Sequence, residues 1–181
     1  MRVSTSKSLS ATHIALTAVL TAVVVVFTLI VRVPTPIKGY ISLCDVIIAF
    51  SAYLFGPWVA FVAGGLGTGL ADFIGGYPQW APLSFVIHGV QGLLIGLIAR
   101  KKDNVGMFID AKLIRLVFAG VVGVVVMSGG YYLAGGVLYG FKTALVEIPL
   151  NVLQSTVGFI FGIIVMKALL KAYPAVRLLR R

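Results

Sequence analysis

Charge is scarce in this sequence. Only 11% of its 181 residues are Asp, Glu, Lys or Arg, against about 25% in an ordinary soluble domain. That is too little to cover a globular surface. Acidic residues are the rarest, 5 against 15 Lys and Arg. The single cysteine, Cys44, excludes an internal disulfide and a cysteine metal cage. No HExxH, GxSxG or paired metal-ligand spacing occurs. Two glycine-rich stretches fail as nucleotide loops. In GGVLYGFKT (135–143), Phe141 stands where a phosphate loop needs lysine, and GGLGTG (64–69) lacks the dinucleotide spacing. No catalytic residue, metal site or cofactor is therefore expected, and the chain has no visible means of hydrolysing ATP.

What the sequence has is apolar length. Hydrophobic residues make up 60% of it and the mean hydropathy is +1.07. Crossing the hydrocarbon core takes about 20 mostly apolar residues in a helix. Six segments are expected: 9–33, 43–55, 58–74, 82–99, 113–138 and 143–170. Pro34 and Pro36 end the first. The Gly56-Pro57 break divides the second from the third as a tight hairpin. The first run is longer than a signal peptide's core and no small-residue cleavage site follows, so it reads as a retained helix. The expectation is an all-α integral membrane protein, one domain over 1–181.

The net charge of +10 does not imply nucleic acid, because the basic residues form short clusters between apolar runs rather than one contiguous face. With the N-terminus inside, six spans leave only Arg32, Lys38 and Lys142 outside and the other 12 of 15 basic residues inside. The loop 103–112 lies on the inner side. This is the direction of the positive-inside rule, and it places both termini in the cytoplasm with the chain embedded in the lipid bilayer.

Small residues recur at spacing four. Gly65/Gly69, Gly92/Gly96, Gly136/Gly140 and Gly158/Gly162 suit close packing of helices in lipid. Ala11, Ala15, Ala18 and Ala22 form a smooth stripe on the first helix, a candidate surface for docking another membrane protein.

Polar groups inside a span are costly unless they face the bundle interior, so they mark candidate sites. Glu147, Asn151 and Gln154 fall within about a 60° arc of the last helix. Ser84, His88 and Gln91 share one face of the fourth. The fifth offers Ser128, Tyr131, Tyr132 and Tyr139. Amides, an imidazole and phenols together suit a small, flat, polar organic ligand. In the outer loops, Tyr77 and Trp80, or Lys38 and Tyr40, suit a lid. Interfacial anchoring also accounts for Tyr77 and Trp80. Asp45 and Asp72 fall near outer helix ends, where capping or pairing with Arg32 or Lys38 is the plain explanation.

Three stretches, PTPIKGYISLCDVIIAFSAYLFGP (34–57), GGLGTGLADFIGGYPQWAP (64–82) and EIPLNVLQSTVG (147–158), resemble the substrate-binding S components of energy-coupling factor (ECF) transporters. The likeness covers nearly the whole chain. It implies a subunit of a prokaryotic cell membrane that binds a water-soluble vitamin or precursor from outside. Such a subunit associates with a transmembrane coupling subunit and, through it, two cytosolic ATPases. The resemblance implies that Ala11, Ala15, Ala18 and Ala22 dock the coupling subunit. It also implies that Trp80, His88, Gln91, Tyr131, Glu147, Asn151 and Gln154 hold the ligand. Within the family the likeness is to members linked to hydroxymethylpyrimidine or pyridoxine, a group that also carries a riboflavin label.

Two other classes compete. A stand-alone carrier would show inverted repeats, which the two halves lack. A membrane enzyme would use His88 and Glu147 as acid and base.

Overall fold

A computed structural model describes residues 11–36, 38–102, 108–109 and 111–179. The basic residues Arg2, Lys7, Arg180 and Arg181, and most of the loop 103–112, lie outside the described residues. The helices are α1 (Ala11–Ile30), α2 (Cys44–Leu54), α3 (Pro57–Gly75), α4 (Ala81–Ala99), α5 (Leu113–Tyr139), the short α6 (Phe141–Ala144) and α7 (Ile148–Ala172). Short antiparallel pairs join Val33–Pro34 to Tyr40–Ile41 and Lys101–Lys102 to Phe108–Ile109. A 3-10 turn, Pro174–Leu179, follows α7.

Among the described residues, five stretches are long and apolar enough to cross a membrane, α6 and α7 together forming one of them, and α2 is a sixth, shorter apolar helix. At 1.5 Å per residue, the 11 residues of α2 rise about 16 Å, roughly half of a hydrocarbon core. Every one of them is buried. That burial explains how so short a helix is tolerated: α2 is a central post packed by α1, α3, α4 and α7.

Local chemistry sets the boundaries. Gly56 has a φ of 105°, a conformation that glycine adopts without steric cost. Pro57 then opens α3 at its first turn, where its missing N–H costs nothing. The expected last helix is in three pieces: α6, a 3-10 turn (Leu145–Glu147) and α7. Pro149 in the first turn of α7 lacks the amide that a helix continuing from α6 would need.

The glycine pair Gly158/Gly162 packs α7 on α2 as expected. A Cβ on Gly158 would come within 2.2 Å of the Asp45 Cβ, and one on Gly162 within 2.8 Å of the Ala49 Cβ. Gly140 departs from that expectation. It has a φ of 92° and no neighbour within 4 Å of a built Cβ, so it breaks the chain between α5 and α6 rather than packing helices.

Large apolar side chains such as Trp58, Ile114 and Val137 face outward, as lipid contact requires. The connections 31–43, 76–80 and 140–147 meet at one end of the bundle, where Trp80 touches both Lys38 and Tyr139.

Candidate functional site

Below these three connections lies a cavity of about 430 Å³, counting its open mouth. Its lining comes from every membrane-length helix, the short hairpin and the start of α2. Trp80, His88, Tyr131, Glu147, Asn151 and Gln154 line it, as does the lid candidate Tyr40.

The floor is a buried polar network. Asp45, in the first turn of α2, accepts Gln91 Nε2 on Oδ1 and Gln154 Nε2 on Oδ2, at 2.5 and 2.6 Å. The N-terminus of a helix favours a carboxylate there. Gln154 Oε1 accepts the Ser42 amide at 2.7 Å, so one side chain ties α7 to both α2 and the link that leads into it.

Gln91 also donates to Ser155 Oγ at 2.9 Å. A carboxylate can only accept, so the Gln91 amide nitrogen faces Asp45 and its oxygen faces His88 Nδ1, 2.8 Å away. His88 Nδ1 is therefore the donor, and its Nε2 is turned toward Cys44 Sγ at 3.9 Å. Gln91 lies beneath the cavity, not along its wall. Both ends of its amide are committed to orienting neighbours.

Aromatic residues make the walls. Trp80 packs on Tyr131 and Tyr139 at ring distances of 5.7 and 5.9 Å. Its indole N–H donates to the Lys38 carbonyl at 3.0 Å, which fixes the hairpin over the site. Although placed at a loop, Trp80 is only 3% exposed. Tyr131 exchanges a hydrogen bond with Ser84 at 2.6 Å. Of the lid candidates, Tyr77 meets Tyr40 edge-on at 4.9 Å, and Lys38 contributes its carbonyl while the residue itself is exposed. Tyr132 packs on Phe141 instead.

The plain reading of the two aspartates needs correction. Tyr40 Oη donates to Asp72 Oδ1, while Arg32 donates to the Gly75 carbonyl and lies over the outside of the Tyr40 ring. Asp45 and Asp72 thus belong to the site, with neither bonded to Arg32 or Lys38. Burial, then the nearby Asp72, pushes the Tyr40 phenol well above its ordinary range, so it stays a donor at working pH. Thr28, Ser42, Cys44, Thr68 and Met127 also line the cavity and were missed. For Asp72 a signal existed, since a carboxylate inside an apolar run is costly wherever it falls.

Several buried polar atoms have no partner among the described residues. Asp72 Oδ2, Glu147 Oε1 and Asn151 Nδ2 belong to cavity-lining residues. Cys44, Asp45 and His88 bring a thiol, a carboxylate and an imidazole within 4.8 Å of one another. They are the described cluster with the donor types for a metal ion, and hydrogen bonds through Gln91 and Gln154 join its carboxylate and imidazole to the floor.

Comparison with known proteins bears on this arrangement. Residues 8–171 match the family model described as "ECF-type riboflavin transporter, S component". An uncharacterised protein of Pyrococcus woesei is 39% identical over 140 residues, 77% of this chain and 88% of that one. The thiamine precursor transporter HmpT of Lactococcus lactis subsp. cremoris is 31% identical over 130 residues, 72% of this chain and 69% of its own. The crystal structure of FolT bound with folic acid shares the fold, with a TM-score of 0.63 at 20% identity over 91% of this chain and 95% of that one.

Proposed function

This chain belongs to the S-component family of ECF-type riboflavin transporters, and from that premise we propose that its cavity captures a small water-soluble vitamin or precursor from outside the cell for an ATP-driven importer. Membership makes it a multi-pass protein of a prokaryotic cell membrane and a vitamin-binding transport subunit, not an enzyme. The finer points that follow are our reading.

Hydroxymethylpyrimidine or pyridoxine is the favoured ligand and riboflavin the next. The likeness to a thiamine precursor transporter supports that order, as does a compact cavity walled by Trp80 and Tyr131. Residues 1–181 act as one substrate-binding domain with both ends in the cytoplasm. The partner is a transmembrane coupling subunit, which links the chain to two cytosolic ATPases. Trp80, His88, Tyr131, Glu147, Asn151 and Gln154 contact the ligand, and Gln91 positions His88. Lys38, Tyr40 and Tyr77 belong to the lid. Ala11, Ala15, Ala18 and Ala22 dock the coupling subunit.

One observation carries the reading. Polar side chains from five helices, α1, α3, α4, α5 and α7, converge on one buried cavity inside an apolar bundle, a costly arrangement unless a polar ligand completes it. Mass spectrometry of small molecules released from the detergent-purified chain tests it. An intact pyrimidine, pyridine or flavin at near one per chain is expected. A chemically altered product or a lipid in its place would overturn capture.

A further inference from the structure

The partners that the cavity lacks describe the ligand that would fill it. Building on the capture reading, we infer that the ligand is neutral or cationic, offers N–H or O–H donors to Glu147 and Asp72, and offers a ring acceptor to Asn151. An aminopyrimidine edge, with an amine beside a ring nitrogen, has this chemistry. Ligands bearing a carboxylate or phosphate are rejected.

The first argument is satisfaction. Buried polar atoms in folded proteins nearly always have partners, yet Glu147 Oε1, Asp72 Oδ2 and Asn151 Nδ2 have none among the described residues. Their residues are no more than 5% exposed. Two of these atoms accept and one donates. The complementary ligand therefore brings at least two donors and one acceptor. Glu147 and Asn151 stand four residues apart, across the junction of the 3-10 turn and α7, and both line the cavity, so one stretch of chain offers it an acceptor and a donor. A neighbouring amine and ring nitrogen supply the reverse pattern.

The second argument is charge. Among the described residues, two carboxyl groups line the cavity, Asp72 and Glu147, and no lysine or arginine does. A third, Asp45, lies in the floor beneath, where the amides of Gln91 and Gln154 already hold it. Arg32 is engaged outside, at the Gly75 carbonyl and the Tyr40 ring. An anionic ligand would enter beside carboxyl groups with no lysine or arginine in the described lining to pair it, and burying an unpaired charge is strongly unfavourable. A protonated or neutral amine meets the opposite situation. The flat walls of Trp80 and Tyr131 suit its ring.

The test is calorimetric titration of the full-length, detergent-purified chain, freed of co-purified ligand. Five probes are compared: 4-amino-5-hydroxymethyl-2-methylpyrimidine, its 4-oxo analogue, its monophosphate, riboflavin and folate. The amine is expected to bind at least about thirtyfold more tightly than the oxo analogue, because the latter leaves buried groups unpaired. The phosphate and folate are expected to be weaker still.

In Glu147→Gln, amine binding should fall about ten- to a hundredfold. The gap to the oxo analogue should narrow, since a glutamine amide can donate to a carbonyl. A merely structural role for Glu147 would weaken both probes equally and would overturn the assignment. Folate or the phosphate binding as tightly as the amine would overturn the charge argument while leaving capture intact. Binding of none of the five would overturn this inference, and failure of pyridoxine, titrated alongside them, would overturn the capture reading with it. The wild-type comparison decides the charge argument even if the variant does not fold.

Discussion

The side-chain amide of Gln154 donates to the carboxylate of Asp45 at 2.6 Å, across 109 residues of sequence. The same amide's oxygen holds the backbone N–H of Ser42. Neighbouring Asn151, also on α7, has an amide nitrogen with no partner among the described residues. Two amides one turn apart therefore differ in role: Gln154 braces the floor and Asn151 is left for the ligand.

That difference is measurable. Asn151→Ala should weaken ligand binding by about 1–3 kcal/mol, the cost of leaving a ligand group unpaired, with little change in thermal stability. Gln154→Ala should lower both, because it also strips partners from Asp45 and Ser42. Melting of the purified chain with and without ligand reads the two effects separately. Equal loss of apo stability in both variants would place Asn151 in the scaffold.

Asp45→Leu should be among the most damaging single changes. It orphans one buried N–H of Gln91, whose amide keeps Ser155, and one of Gln154, at about 1–3 kcal/mol each. It also removes the anchor that, through Gln91, orients His88. Asp45→Asn keeps one acceptor oxygen and should lose roughly half as much. Detergent-solubilised yield and melting temperature give the order; wild-type behaviour of Asp45→Leu would remove the network from any structural account.

The stripes within single helices were legible because polar groups in lipid are costly: Glu147, Asn151 and Gln154 stood out against an apolar background, and all three line the cavity. Span boundaries were legible from Pro34, Gly56-Pro57 and the basic cluster after Ala99, to within one to three residues at most ends. What could not be read was adjacency. Periodicity gives the face of a helix but not which helix it meets, so the bonds from Asp45 to Gln91 and Gln154 had no local signature. Asp72 fell at a helix end and was explained by capping or by pairing with Arg32 or Lys38, where its true partner is Tyr40 in the hairpin. The break at Pro149 was hidden because Glu147 keeps nearly helical phase through the 3-10 turn.

Close packing of α7 on α2 predicts a sharp contrast between glycines. Gly158→Val would drive a side chain into the Asp45 backbone and Cβ, whose nearest atom is 2.2 Å from the built position. It should cost several kcal/mol, in the range of about 1–3 or more for overpacking, and abolish a monodisperse product. Gly129→Ala, with nothing within 4 Å of the added carbon, should be neutral or stabilise α5 by up to about 1 kcal/mol. Size-exclusion profiles of the two variants decide the matter.

Trp80→Phe keeps most of the wall but removes the indole N–H that holds the Lys38 carbonyl. The hairpin should open more readily, and ligand release should accelerate by about two- to tenfold, the kinetic equivalent of one neutral hydrogen bond. Stopped-flow measurement of release reads this directly. An unchanged release rate would mean that the hairpin is held by its other ties, Tyr40 to Asp72, Arg32 to Gly75 and Ser42 to Gln154.

The alanine stripe gives the prediction that separates capture from assembly. Ala11, Ala15, Ala18 and Ala22 fall within about a 60° arc of α1 and are all exposed. The buried residues of that helix, Leu20, Val24 and Thr28, lie on the opposite side, packed toward α3. A bulky side chain on the stripe therefore projects away from the bundle and leaves the cavity untouched. Ala15→Trp and Ala22→Leu should bind ligand with wild-type affinity yet fail to co-purify with the coupling subunit, because a flat surface is what lets another helix approach closely. Loss of ligand binding in either variant would show that α1 supports the cavity through this face. Assembly at wild-type yield in both would mean that the stripe meets only lipid, and the coupling subunit would have to dock on another helix.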